Sequence, residues 1–268
     1  MISKQTPETK LLQFWQVLRQ EARVMAQTEP FLAPKLSRML LRHGSLQEAL
    51  ATRLANDLTC SDMSEDAFRT LLLEMLNEDP AIVASSVRDL VAVHSNDPAC
   101  RTYVHAFLNY KGFHAVQVHR IAHQLWETGR TELAAWLSNR VSLILGPDIH
   151  PAAQLGTGIM LDHGSGVVIG ETAVVEDDVT ILQNVTLGGT GKTRGDRHPK
   201  VRRGVMIGAG ANIIGNVEIG AFSKVGAGSV VLKDVPQGCT VAGMPARIVR
   251  LHRHADFRLE EPARPIHG

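Results

Sequence analysis

Residues 201–231 read VRRGVM-IGAGAN-IIGNVE-IGAFSK-VGAGSV-V, and an aliphatic residue opens every block of six: Val201, Ile207, Ile213, Ile219, Val225 and Val231. A spacing of six fits neither the 3.6-residue helical period nor simple strand alternation. It is the mark of a left-handed parallel β-helix, in which each hexapeptide lays down one flat face and three faces close a coil. Working backward, the series extends through Ile149, Leu155, Leu161, Val167, a weak Ala173, Val179 and Val185. One interruption separates Val185 from Val201, a step of sixteen that expels ten residues from the prism. Glycine follows an inward aliphatic at Gly156, Gly208, Gly220 and Gly226, where its tolerance of positive φ is expected to serve tight corners. Such repeats establish a scaffold and say nothing of function.

The expelled segment, GGTGKTRGDRHPK at 188–200, carries Lys192, Arg194, Arg197, His198 and Lys200. It is expected to form a mobile, cationic, projecting loop, and long loops of this kind usually carry function. GGTGKT is not a phosphate loop, because that motif requires a glycine where Thr186 stands.

Upstream of Gly146-Pro147 the pattern is helical. Leu11, Phe14, Trp15, Leu18, Ala22 and Met25 recur at helical spacing until Pro30. Helices are also expected at 46–58, at 65–77 after a Ser64 cap, from Pro80 toward Val93, and at 99–108, 113–128 and 132–144. Asn96-Asp97-Pro98 signals a turn in which Asp97 bonds the backbone ahead of it. The expected fold class is therefore α+β: an all-helical domain over 1–146, a left-handed parallel β-helix over 147–250 and a flexible tail over 251–268.

The chain has 268 residues and a formal net charge of +1, which gives no electrostatic case for nucleic acid or a membrane surface. No apolar run reaches the length of a membrane span, and MISKQTPETK has no apolar core of a signal peptide. Three scattered cysteines fit reduced thiols in a cytoplasm, each read as structural.

Two segments could carry chemistry: Asp148-Ile149-His150-Pro151 and Leu161-Asp162-His163-Gly164. With coils of about eighteen residues stacked about 4.8 Å apart, Asp148 and His163 are expected on neighbouring coils, within plausible reach of each other. A carboxylate that fixes the tautomer of an imidazole makes a general base. An ordinary surface turn accounts for the same residues. So does a metal site built from His150, His163 and His198. His119 and His123 form an i, i+4 pair, read as partly buried helix histidines with no third ligand evident.

The strings NDPA (96–99), YKGFHA (110–115), DIHPAA (148–153), GIMLDH (158–163), VVIGETAV (167–174), QNVTLGGTGK (183–192), GDRHPK (195–200), VMIGAGA (205–211), VGAGSVV (225–231) and AGMPARIV (242–249) closely resemble bacterial serine acetyltransferases, within the hexapeptide-repeat acyltransferase family. The resemblance runs to about residue 250.

It implies acetyl transfer from acetyl-CoA to the L-serine hydroxyl, by direct attack in a ternary complex, giving O-acetyl-L-serine for cysteine synthesis. It implies no metal. His163 would be the base and Asp148 its orienting carboxylate. Arg197 and His198 would hold the serine carboxylate, Asp97 and Asp162 its ammonium, with Glu171 in support. Gly189, Thr190, Ala209, Lys224 and Ala227 would line the acetyl-CoA site in a groove between prisms. A homohexamer built as a dimer of trimers, a cytoplasmic location and inhibition by L-cysteine at the serine site complete what the resemblance implies.

Many members end in an isoleucine that enters O-acetylserine sulfhydrylase. This chain ends Pro265-Ile266-His267-Gly268, so that complex is not expected to carry over. The alternatives are an acetyltransferase for another small hydroxyl acceptor and a zinc-dependent hydratase on the same fold.

Overall fold

The computed structural model describes residues 6–192 and 194–252. It divides into two compact units, Met1–Ile144 and Leu145–Gly268.

The first unit is helical, and polar side chains set its boundaries. Helix α1 (Pro7–Thr28) starts where the Thr6 hydroxyl accepts the Thr9 amide at 3.3 Å, and it buries Trp15, Leu18 and Ala22. A short helix α2 (Ala33–Leu36) and a π turn (Ser37–Leu41) follow; both were invisible in the sequence because four- and five-residue elements carry no periodicity. Ser45 caps α3 (Leu46–Leu58), and Ser64 caps α4 (Glu65–Glu78) as expected. Asp79 caps α5 (Pro80–Asn96).

The helix expected from residue 99 starts four residues later, as α6 (Tyr103–Asn109). Asp97 Oδ1 accepts the Ala99 amide at 2.8 Å and holds a turn there, while Thr102 provides the cap. Helices α7 (Lys111–Glu127) and α8 (Thr131–Leu145) complete the series.

The core is lined by Leu50, Leu54, Phe68, Leu72, Phe107 and Phe113. Two buried polar clusters cross it. Asp89 receives Arg120 at 2.8 Å and Gln117 at 2.8 Å. Asp57 sits 2.5 Å from Arg53 and 3.2 Å from His114. Burial alone would raise the Asp57 carboxyl, but hydrogen bonds from His114 and Arg53 outweigh it and hold the group down at about 2.

The second unit is a left-handed parallel β-helix of three sheets. The first sheet stacks β1 (Asp148–Ile149), β4 (Val168–Ile169), β7 (Thr186–Gly188), β10 (Asn212–Ile214) and β13 (Val230–Val231). The second stacks β2 (Gln154–Leu155), β5 (Val174–Val175), β8 (Lys200–Val201) and β11 (Glu218–Ile219). The third stacks β3 (Met160–Leu161), β6 (Thr180–Ile181), β9 (Met206–Ile207), β12 (Lys224–Val225) and β14 (Cys239–Gly243). Strand β15 (Ala246–Leu251) returns antiparallel on β14 through the AGMPAR turn. The rest of the expected tail, 253–268, lies outside the described residues.

The strand register corrects the sixfold count. Ile149↔Ile169, Leu155↔Val175, Leu161↔Ile181 and Ile169↔Leu187 are the paired inward residues. Leu161 to Ile169 is therefore a step of eight, and Leu187 to Val201 is a step of fourteen. The ten extra residues do not all leave at one place: two widen the corner 162–167 and eight form the loop.

Counting by six missed this because each hexapeptide buries two residues, the inward strand residue and the one two before it. Val167, Ala173, Val179 and Val185, all at most 1% exposed, belong to that second row.

The four glycines assigned to positive φ have none. A Cβ on Gly156 would stand 2.7 Å from Asp177 N, on Gly208 2.6 Å from Ala227 N, on Gly220 2.4 Å from Gln237 N and on Gly226 3.1 Å from Ala242 Cβ. Close stacking of successive coils demands glycine there. The left-handed corner positions are instead filled by Gly158, Gly166, Gly204, Gly210 and Gly228, and by the non-glycines His163, Asp178, Asn184 and Phe222.

Candidate active site

The widened corner lies where the third sheet turns into the first, and it carries Asp162 and His163. His163 has φ 56°, followed by Gly164 at 73° and Gly166 at 68°. The Gly164 amide donates to Asp162 O at 2.6 Å, and Val167 N to Gly164 O at 3.2 Å. These bonds lift the imidazole outward, and its side chain is 71% exposed.

Asp148 begins the first sheet at the same corner, its amide donating to Val167 O at 2.8 Å. Asp148 thus opens a twenty-residue turn of the chain, as its pairing with Val168 shows, and His163 lies in the corner that leads back to that edge. Among the described residues, the carboxylate within 4.0 Å of His163 is that of Asp162, whose Oδ1 lies 3.8 Å from Nε2. Asp148 is exposed and makes no ion pair with the ring.

A second group forms at the edge where the first sheet turns into the second. Arg197 NH2 donates to Glu171 Oε2 at 2.5 Å, and the same guanidinium donates to Gly195 O at 3.0 Å. That hydrogen bond from Arg197 holds the Glu171 carboxyl below its usual range. His198 is 7% exposed and packs over Gly170, where a Cβ would fall 2.1 Å from the ring. Burial and then the Arg197 charge lower its imidazole below the ordinary value. His150 shares this edge, its Nδ1 accepting the Ala152 amide at 3.1 Å, and burial lowers its imidazole as well.

The candidate acetyl-CoA residues divide in the same way. Ala209 and Ala227 stack at the third-to-first edge, where Gly228 N donates to Ala209 O at 2.8 Å, and Lys224 is exposed on β12 beside them. Gly189 and Thr190 lie at the other edge: a Cβ on Gly189 would meet Arg197 Cγ at 3.3 Å and His198 Nε2 at 3.4 Å.

One chain therefore gathers Asp148, Asp162 and His163 at one prism edge, and Glu171, Arg197 and His198 at another. His150, His163 and His198 do not come together. Among the described residues no three His, Cys, Asp or Glu side chains form a metal-holding group.

Asp97 lies in the helical unit, half-exposed. Tyr110 Oη donates to its Oδ2 at 2.6 Å, and burial together with that bond drives the phenol pKa upward. The thiols Cys60, Cys100 and Cys239 are free. No helix among the described residues is long and apolar enough to cross a membrane.

The sequence reading overlooked Thr172. Its hydroxyl accepts both the Arg197 amide (2.9 Å) and the His198 amide (3.1 Å), and its carbonyl accepts Lys200 Nζ at 2.7 Å. The signal was available only as a threonine inside the GETAV string; nothing there marks it as the anchor of a loop twenty-five residues on.

The chain is similar to known proteins over most of its length. A family model described as serine acetyltransferase, N-terminal, matches residues 14–118, and one described as bacterial transferase hexapeptide (six repeats) matches 198–233. A serine acetyltransferase of Salmonella typhimurium is 54% identical over 235 residues, covering 88% of this chain and 86% of its own. A solved serine acetyltransferase from Brucella abortus in complex with coenzyme A superposes with a TM-score of 0.87 at 49% identity, covering 90% of this chain and 96% of its own. A solved serine acetyltransferase in complex with cysteine gives a TM-score of 0.87 at 50% identity, covering 89% and 99%.

Proposed function

The chain belongs to the serine acetyltransferase family, and on that footing we propose how its residues divide the work. The reaction moves the acetyl group of acetyl-CoA to the hydroxyl of L-serine, giving O-acetyl-L-serine and CoA, a step of cysteine biosynthesis. Cysteine binds as the inhibitor.

His163 is the general base. A serine hydroxyl has too high a pKa to attack a thioester unaided, and an imidazole at neutral pH accepts its proton. As the oxygen attacks the thioester carbon, the O–H proton passes to His163. When the carbon–sulfur bond breaks, the departing CoA sulfur takes that proton back. No covalent enzyme intermediate forms, and none of the three cysteines is required.

Asp148 supports the imidazolium from the other side of the corner once the ring turns toward it, and Asp162 receives the serine ammonium. Arg197 and His198 hold the serine carboxylate, the guanidinium offering a planar fork matched to it. Glu171 keeps Arg197 extended until substrate arrives. Asp97, fixed by Tyr110, offers a second carboxylate to the ammonium.

The observation that carries this reading is the widened corner: the two residues added to the repeat are spent on exposing an imidazole beside Asp162, at the edge where Asp148 begins the first sheet. The base and the cationic group occupy different edges of one prism. A complete site therefore brings the third-to-first edge of one copy against the first-to-second edge of another, as a threefold assembly does. Ala209, Ala227, Gly189 and Thr190 then line the acetyl-CoA groove from both sides, with Lys224 near the phosphates. We propose a homohexamer of two trimers joined through helical domains (residues 1–146), with catalysis on 147–250, acting in the cytoplasm.

Release of CoA thiol, measured with acetyl-CoA and a panel of amino acids and sugars, tests the reading. L-Serine should give turnover well above every other acceptor. CoA release with serine no faster than in buffer would defeat it.

A further inference from the structure

The bonds around Thr172 determine more than the path of the loop. His198 Nδ1 lies 3.1 Å from the Thr172 amide and 2.9 Å from the Thr172 hydroxyl. A peptide N–H can only donate, so Nδ1 is the ring's lone-pair nitrogen. The hydroxyl already accepts the Arg197 and His198 amides, which leaves it to donate its own proton, with Nδ1 at 2.9 Å and the Asp196 carboxylate as the acceptors facing it. The ring proton is confined to Nε2, on the side that passes Gly170 and Gly189, whose missing Cβ atoms would otherwise stand 2.1 Å and 3.4 Å from that nitrogen.

We infer that Thr172 is a positioning residue that locks His198 as the Nε2–H tautomer, so that it presents a hydrogen-bond donor to a substrate oxygen. The inference rests on the reading of His198 as a serine-carboxylate contact. A histidine held this way donates at Nε2 and cannot act there as a base. That separates its role from that of His163, which must accept a proton. The device is built from residues within one unit. Thr172 ties together Arg197, His198 and Lys200: its amide and hydroxyl meet Nδ1, its hydroxyl receives the Arg197 and His198 amides, and its carbonyl receives Lys200, so one residue fixes both the loop's return and the tautomer. Gly170 is required under the ring for the same reason.

The test has two arms. In the first, the intact protein is labelled with 15N-histidine, and the His198 signal is identified by its loss in His198→Gln. The expected spectrum shows a non-protonated Nδ1 and a protonated Nε2. A proton on Nδ1 overturns the inference, whatever acceptor the enzyme uses. In the second, Thr172→Val removes the hydroxyl while keeping the shape, and Thr172→Ser restores it. Thr172→Val should raise the serine KM about tenfold, lower kcat by less, and leave the acetyl-CoA KM unchanged. Thr172→Ser should recover most of the serine KM.

A Thr172→Val enzyme with the wild-type serine KM contradicts the inference, as does a Thr172→Ser enzyme no better than Thr172→Val. If Thr172→Val does not fold, Gly170→Ala, which wedges the ring, should reproduce the serine KM effect, and an unchanged KM there counts equally against it. Wild-type protein with no serine-dependent CoA release would instead defeat the functional reading and leave the spectroscopic arm intact.

Discussion

His163 occupies a backbone conformation that costs an ordinary residue roughly 1 kcal/mol and that glycine adopts freely. Asp178, Asn184 and Phe222 show that this fold fills some left-handed corners with side chains, but His163 stands at the one corner widened by two residues. His163→Ala should therefore lower kcat by about 10²–10⁴-fold, the usual worth of a general base, with little change in thermal midpoint. Turnover retained in that variant would show that another group takes the proton. Arg197→Ala removes a carboxylate contact and also strands Glu171. It should raise the serine KM by about tenfold or more while leaving the acetyl-CoA KM near wild type, and steady-state kinetics against each substrate separates the two. The identities of these residues were legible in the strings LDH and GDRHPK. Their immediate partners were not, because Glu171 and Thr172 reach Arg197 across a turn of the prism whose length the repeat did not reveal.

At the scale of elements, the repeat disclosed three sheets and concealed their register. Both Val167 and Ile169 are buried, and so are Ala173 with Val175 and Val179 with Ile181, so a count of aliphatics accepts either row. Only hydrogen-bonded pairing distinguishes them, and with it the division of ten extra residues between a corner and a loop. Glycine posed a similar ambiguity: its presence marked close packing at Gly208 and positive φ at Gly210, two residues apart.

In the helical unit, the Ser64 cap was readable because a cap is a local event. The contact of Asp57 with His114 was not, since α3 and α7 meet only in the folded chain, although Arg53, the other partner of Asp57, stands one turn away on α3 itself. That pairing has a pH signature. The Asp57 carboxyl lies at about 2 in the folded state, below its unfolded value of 3.8. Folding therefore favours the ionised form, and the contribution is complete above the unfolded value and disappears as the pH falls through 4 toward 2. It amounts to about 2 kcal/mol. Asp57→Asn should lower stability at pH 7 by about 2 kcal/mol, because it removes the charge that faces Arg53 and His114, and should flatten the acid limb of the stability profile. Chemical denaturation at pH 7 and pH 4 measures both; an Asn variant as stable as wild type at pH 7 would remove this pair from the account.

For the whole molecule, the decisive feature is that one prism carries Asp148, Asp162 and His163 on one edge and Glu171, Arg197 and His198 on another. Within a chain, Asp148, Asp162 and His163 cannot share a substrate with Glu171, Arg197 and His198 unless the first sheet between them is crossed. Composition and charge could not reveal this. The resemblance implied an assembly, and the placement of the residues gives that assembly a chemical reason. Complementation between two inactive variants tests it most directly. His163→Ala and Arg197→Ala subunits, each carrying a different tag, are co-expressed and the mixed assemblies isolated through both tags. At serine concentrations too low for either variant alone, random mixing should restore activity toward about a quarter of wild type, because one pairing in four joins an intact base edge to an intact cationic edge. Mixed assemblies that form but turn over no faster than the two parents would mean that each site lies within a single chain, and would contradict the account.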